Sequence, residues 1–143
     1  MVKFAVIAGN ASKDLGKRIA RKLKAPYVEA KTRVFPDGES KITFGRIPKN
    51  SIILVVQSTY PPVDTNLLQA LSIISQARKL SSKIYAIIPY MGYARQDRQF
   101  LSGEVVTMSI VARMLKSAGA RKIVVVDIHS KICLLYTSPS PRD

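Results

Sequence analysis

The sequence predicts an α/β domain built on an open parallel sheet with helices on both faces. Three observations carry this expectation. Short apolar runs alternate along the chain with amphipathic segments of helical length. The runs at 51–57 (Ser-Ile-Ile-Leu-Val-Val-Gln) and 84–88 have hardly any polar alternation, as expected of strands covered on both sides. The connections are long enough for helical crossovers, which implies parallel pairing. At 143 residues, the chain has the size of one domain with a real core.

The elements follow in order. Residues 3–8 form a first strand that ends in the turn signal Gly9-Asn10. Ser12 is placed to cap a helix running to about Lys24, with Leu15, Ile19 and Leu23 on its inner face. Its outer faces carry Lys13, Lys17, Arg18, Arg21, Lys22 and Lys24, a basic surface that suits the helix C-terminus. Residues 27–34 and 40–44 are short strands around Pro36-Asp37-Gly38, giving a small hairpin or arm within 27–45. After the strand at 51–57, Pro61-Pro62 breaks the chain. Asp64 is then placed to cap a helix that turns Leu67, Leu71 and Ile74 inward. Residues 84–88 form the next buried strand. Ser102-Gly103-Glu104 opens a helix with Val106, Ile110, Met114 and Leu115 as its apolar stripe, and residues 122–127 are the last strand.

The alternation stops after His129. Residues 131–143 load Ser, Thr and Pro where a helix is due, and Pro139 and Pro141 forbid one. Their text resembles adaptor-derived read-through, so a domain at 1–130 followed by a non-native or disordered tail at 131–143 is expected. The formal charge of +14 does not depend on the tail: removing 131–143 takes away Lys131, Arg142 and Asp143, two cations and one carboxylate, leaving +13. Such a charge fits a solvated basic surface, a phosphate-rich small ligand or nucleic acid. No apolar run approaches the ~20 residues of a membrane span. The start has too short an apolar stretch for a signal peptide, and one Cys suits the cytosol, so a cytoplasmic location is expected.

In open parallel sheets, ligands sit beyond the carboxyl ends of the strands. Four loops leave those ends, at residues 9–12, 58–64, 90–100 and 127–129, and they differ in what they offer. Gly9-Asn10-Ala11-Ser12 lacks the spacing of either glycine-rich phosphate motif and reads as an ordinary capped turn. Residues 89–100, Pro-Tyr-Met-Gly-Tyr-Ala-Arg-Gln-Asp-Arg-Gln-Phe, leave a core strand and at once present an aromatic ring, planar donors and a carboxylate. That is equipment for holding a ligand. Asp127 and His129, two residues apart at a strand end, form either a corner for a divalent cation or a hydrogen-bonded structural histidine. Phe35-Pro36-Asp37-Gly38-Glu39 is either a hairpin turn with Phe tucked into the core or a protrusion whose Phe awaits a partner.

Phe35-Pro-Asp-Gly-Glu39, Tyr93-Ala-Arg-Gln-Asp97 and Asp127-Ile-His129 together, in this order and spacing, resemble the ribose-phosphate pyrophosphokinases, particularly the short archaeal type. The resemblance covers residues 1 to about 130, the N-terminal half of a family chain. It implies a phosphoribosyltransferase-like sheet and transfer of a pyrophosphoryl group from ATP to ribose 5-phosphate, with Mg²⁺ as cofactor. By the same resemblance, Arg95, Gln96 and Asp97 serve the ATP site, with Arg95 against the base and Gln96 reading its edge. Phe35, Asp37, Gly38 and Glu39 reach the ATP site of an adjacent subunit in a homo-oligomer, and His129 with Asp127 holds the metal. The family's ribose-phosphate loop and main catalytic residues belong to its second half, so residues 1–130 are expected to be inactive alone. Arg98-Gln99-Phe100 departs from the Lys or acidic residues that family members often carry there, and no catalytic role is assigned beyond Asp97. Two alternatives stand beside this reading: a catalytically silent regulatory subunit of the same fold, and a basic nucleic-acid-binding domain.

Overall fold

The computed structural model describes residues 2–126, 128 and 129; Met1, Asp127 and 130–143, including the expected tail, lie outside the described residues. Five strands form one parallel sheet: β1 (Phe4–Ala8), β2 (Tyr27–Glu29), β5 (Ile52–Val56), β6 (Ile84–Ile88) and β7 (Ala120–Val125). Their order is β2-β1-β5-β6-β7. A separate antiparallel hairpin joins β3 (Lys31–Val34) to β4 (Ser40–Thr43). The helices are α1 (Lys13–Leu23), α2 (Val63–Arg78) and α3 (Thr107–Ala118). Among the described residues, no helix is long and apolar enough to cross a membrane.

The continuous apolar runs explain the layering. In β1, β5 and β6, alternate residues face opposite ways. Ile7, Ile53, Val55, Ile84, Ala86 and Ile88 pack with α2 and α3, whereas Val6, Leu54 and Val56 pack with α1. Chain direction reverses its sideways progress at the β1/β5 boundary, so right-handed crossovers place α1 on one face and α2 and α3 on the other. Register keeps the strand ends level, with Ala8 beside Val56, Val56 beside Ile87 and Ile88 beside Val125. The loops after β1, β5, β6 and β7 therefore emerge on one edge.

The sheet and its two-sided cover match the expectation, and several local expectations are corrected. Residues 27–34 split at fully buried Ala30: β2 pairs with β1 in the main sheet, and only β3 belongs to the hairpin. α1 buries Gly16 and Ala20, with Leu15 and Ile19 half-buried and Leu23 exposed. A Cβ at Gly16 would stand 2.5 Å from the Ala8 Cβ, so the helix lies against β1 through a glycine, which a hydrophobic spacing rule does not count. Ser12 occupies the α1 N-cap position without capping; its Oγ accepts from the Ser58 N–H at 2.9 Å and ties the first loop to the third strand in chain order of the main sheet. α3 starts at Thr107 rather than near Glu104, and its buried face is Met108, Val111, Ala112 and Leu115, with Ile110 and Met114 outside. Glu104 instead closes the preceding loop, its Oε2 accepting from the N–H groups of Phe100 (2.8 Å) and Leu101 (3.0 Å).

Candidate functional site

A cleft of about 500 Å³ opens at the carboxyl edge between the first turn of α2, the loop after β6 and the residues after β7. Arg95, Gln96 and His129 line it together, with Asp64, Thr65, Tyr90, Tyr93, Val126 and Ile128. Arg95, Gln96 and His129 are all exposed, so their polar ends are available to a ligand. The cleft thus brings together a guanidinium, a carboxamide, an imidazole and two tyrosine rings. Guanidinium and phenol planes can lie against an aromatic base, the amide can pair with a base edge, and the imidazole can meet phosphate or a metal.

The loop that presents Arg95 and Gln96 is held at several points. At its start, the Thr59 N–H and hydroxyl both donate to the Tyr90 carbonyl, at 3.0 and 2.8 Å, and the Thr59 Oγ1 accepts from the Gly92 N–H at 2.6 Å. At its end, the Met108 N–H donates to the Gln96 carbonyl at 3.1 Å and seats the loop on α3. Between them, Tyr93 takes φ +67, the left-handed region, and its carbonyl accepts from the Gln96 N–H at 2.8 Å. For a bulky side chain this conformation costs ~1–3 kcal/mol, and such residues gather at functional sites. Its ring packs on the main core, and its hydroxyl donates to Asp64 Oδ1 in the first turn of α2. That hydrogen bond, with burial second, pushes the Tyr93 phenol above its ordinary value, so the phenol stays protonated and able to donate.

Asp64 was expected to cap α2. Pro62 holds that position, and Asp64 lies in the first turn with its carboxylate given to Tyr93. Neither this pairing nor the role of Thr59 was found by sequence reasoning: the partners are 29 and 33 residues apart, and no local spacing links them. Tyr93 itself was marked by its place in the polar loop.

Asp97 sits differently from its neighbours. It is 1% exposed and lies outside the cleft lining, while Arg98 turns outward, its Nε 3.9 Å from Asp97 Oδ1. The Arg98 guanidinium stands over the Phe100 ring at 5.1 Å.

The hairpin tip is well formed and stands apart. The Gly38 N–H donates to the Phe35 carbonyl (2.9 Å), the Phe35 N–H to the Glu39 carbonyl (2.8 Å) and the Glu39 N–H to Asp37 Oδ1 (3.1 Å), with Gly38 at φ +93. Phe35 is half-buried under Arg33, whose guanidinium is 5.3 Å from the ring centre, and it is absent from both core clusters. Phe35, Asp37, Gly38 and Glu39 do not line the cleft of their own chain. The arm instead rests on the flank of α2, where Gln69 Nε2 donates to Ser40 Oγ at 3.4 Å.

As for a metal, His129 is the cleft's imidazole donor, while the Asp64 carboxylate is engaged by Tyr93. No group of three or more His, Cys, Asp or Glu able to hold an ion occurs among the described residues. Asp127 lies outside them. A single imidazole donor fits an ion that keeps much of its water and takes its remaining oxygens from a bound phosphate chain.

Comparison with known proteins bears on what such a cleft serves. The family model for the N-terminal domain of ribose phosphate pyrophosphokinase matches residues 4–119. The chain is 40% identical over 132 residues to a ribose-phosphate pyrophosphokinase of Methanobrevibacter smithii, covering 91% of this chain and 43% of that protein. It is 42% identical over 130 residues to one of Methanothermobacter thermautotrophicus, covering 90% and 45%. Among solved structures, the crystal structure of phosphoribosylpyrophosphate synthetase from Mycobacterium smegmatis superposes with a TM-score of 0.86 at 31% identity, over 94% of this chain and 45% of that one. The chain spans less than half the length of these relatives.

Proposed function

The chain belongs to the ribose-phosphate pyrophosphokinase family, over the family's N-terminal domain, and from that premise we propose that residues 1–130 are the ATP-holding half of an enzyme making phosphoribosyl pyrophosphate. In the reaction, the C1 hydroxyl oxygen of ribose 5-phosphate bonds to the β-phosphorus of ATP. The bond from that phosphorus to the α-phosphate bridging oxygen breaks, AMP departs and the hydroxyl proton is lost. Such a transferase serves nucleotide biosynthesis. The observation that carries the proposal is the meeting of Arg95, Gln96 and His129 in one cleft at the sheet's carboxyl edge. It also favours a nucleotide-holding domain over a silent regulatory subunit.

In this reading Arg95 lies against the adenine plane, Gln96 pairs with the base edge and His129 faces the phosphates. Bound Mg²⁺ would offset charge on the phosphate chain, with His129, and Asp127 beside it in sequence, as its protein contacts. Asp97, next to them in sequence and buried, is assigned to the same ATP site. Ribose 5-phosphate is held by the portion of the relatives' length that this chain does not span, so residues 1–130 alone bind nucleotide without turnover.

The direct test is equilibrium binding of MgATP. Arg95→Ala removes one stacked, charged contact and is expected to weaken binding roughly 5- to 150-fold, at ~1–3 kcal/mol per base stack. Unchanged affinity would remove the basis for the proposal.

The arm is proposed to work in trans, since its tip stands away from its own cleft and Phe35 belongs to neither core cluster. In a full-length enzyme carrying this domain in a homo-oligomer, Phe35→Ala is expected to raise the KM for ATP more than that for ribose 5-phosphate. Mixing Phe35→Ala subunits with Arg95→Ala subunits should then restore part of the activity, because some interfaces regain one intact site. No recovery would mean that each site is built within one chain.

A further inference from the structure

We infer that Tyr93 and Asp64, backed by Thr59, are positioning residues that set how Arg95 and Gln96 meet the nucleobase, and so govern selectivity for the base. The inference rests on the nucleotide reading of the cleft and deepens it. Tyr93 holds a left-handed backbone conformation that a tyrosine adopts only when its surroundings impose it. What imposes it is visible: the hydroxyl is held by Asp64, the ring by the core, and the preceding Gly92 N–H by buried Thr59. The Gln96 N–H is bonded to the Tyr93 carbonyl, so the turn that aims Arg95 and Gln96 is closed on Tyr93 itself.

The consequence is a division of labour. Arg95 and Gln96 are exposed and would touch the ligand, but each is long, and their useful geometry comes from the backbone turn beneath them. Asp64 stands on α2, across the cleft from that turn, so the Tyr93–Asp64 clasp also sets the distance between the two walls. A relaxed clasp leaves the same side chains present but misaligned. Stacking tolerates misalignment better than edge pairing does, because every base has an aromatic face while hydrogen bonds are directional. Loss of the clasp should therefore blur the choice between bases more than it abolishes binding.

The test compares dissociation constants for MgATP and MgGTP in the chain and in its Tyr93→Phe, Asp64→Asn and Arg95→Ala variants. Thermal midpoints and amide hydrogen exchange over residues 90–96 are measured alongside. Tyr93→Phe keeps the ring, so the midpoint should barely move. Its MgATP affinity should fall roughly two- to tenfold, the scale of one weakened hydrogen bond between Gln96 and the base edge at ~0.5–1.5 kcal/mol. The ATP-over-GTP preference should shrink, and exchange at the Gly92 and Gln96 amides should rise. Asp64→Asn keeps an acceptor for the phenol and should retain most of the affinity and preference. If Arg95→Ala weakens MgATP binding while Tyr93→Phe alters neither affinity, preference nor exchange, the positioning role is wrong and the nucleotide cleft stands. If the parent chain binds neither nucleotide, or Arg95→Ala is silent, the nucleotide reading itself fails and takes this inference with it.

Discussion

Alanine at position 92 is expected to cost ~1–3 kcal/mol of stability, the usual range for forcing atoms into a packed site, and to remove most of the nucleotide affinity. Gly92 is buried where the loop after β6 crosses the start of α2. A Cβ there would lie 2.5 Å from Val63 Cγ1 and 3.2 Å from both the carbonyl and the hydroxyl oxygen of Thr59. The valine methyl has limited freedom, and the Thr59 carbonyl is backbone. The loop must therefore lift, which stretches the 2.6 Å bond from the Gly92 N–H to Thr59 Oγ1 and carries Arg95 and Gln96 away from α2. Urea denaturation and MgATP binding on Gly92→Ala measure the two effects separately. A second variant isolates the clash: Gly92→Ala with Val63→Ala removes the closest contact and should regain part of both losses. Wild-type affinity in Gly92→Ala would show that the loop's seat on Thr59 does not matter to the site.

His129→Ala should behave in the opposite way, leaving the fold nearly untouched while depressing function. His129 is exposed at the end of the described chain, and surface substitutions of this kind usually shift stability by under ~0.5 kcal/mol. Yet it is the only histidine in the sequence, and it lines the cleft. In a full-length enzyme carrying this domain, its loss is expected to lower turnover by ~10–100-fold at limiting Mg²⁺, the scale found when groups around a metal are removed. Raising Mg²⁺ should recover part of the loss, since a hydrated ion bound mainly through phosphate oxygens can be driven on by concentration. Normal turnover of His129→Ala at limiting Mg²⁺ would make it a strand-end histidine with no part in the reaction.

The strands were legible in the sequence because their runs are apolar on both faces. Residues 52–56 and 84–88 have nothing to do in water, so their type and place followed from composition alone. The helices were legible as helices but less so in their rotation. α1 turns a glycine and an alanine toward the sheet, and the close approach of its backbone to Ala8 outweighs the leucine spacing. Before α3, Val105 and Val106 mimic a helical start, whereas Val105 stands exposed in a loop closed by Glu104. The site was partly legible. Arg95, Gln96 and His129 stood out because polar planar groups directly after core strands have little structural use. Thr59 and Asp64 stayed hidden because each looks like an ordinary turn or cap residue, and its importance lies in a partner that only tertiary structure supplies.

The bonds closing the cleft span 29 and 33 residues, and they bridge loops that come together only when β5 and β6 lie side by side. Closing such loops costs entropy that nearby helical contacts do not, so these bonds are expected to form only after β5 and β6 have paired. A molecule competent to hold nucleotide is thus one that has finished folding. On the proposed function, nucleotide is expected to act as a selective stabiliser, adding about 2.7 kcal/mol at a hundredfold excess over its Kd. A dose-dependent rise in melting temperature would report an intact cleft without any assay of chemistry.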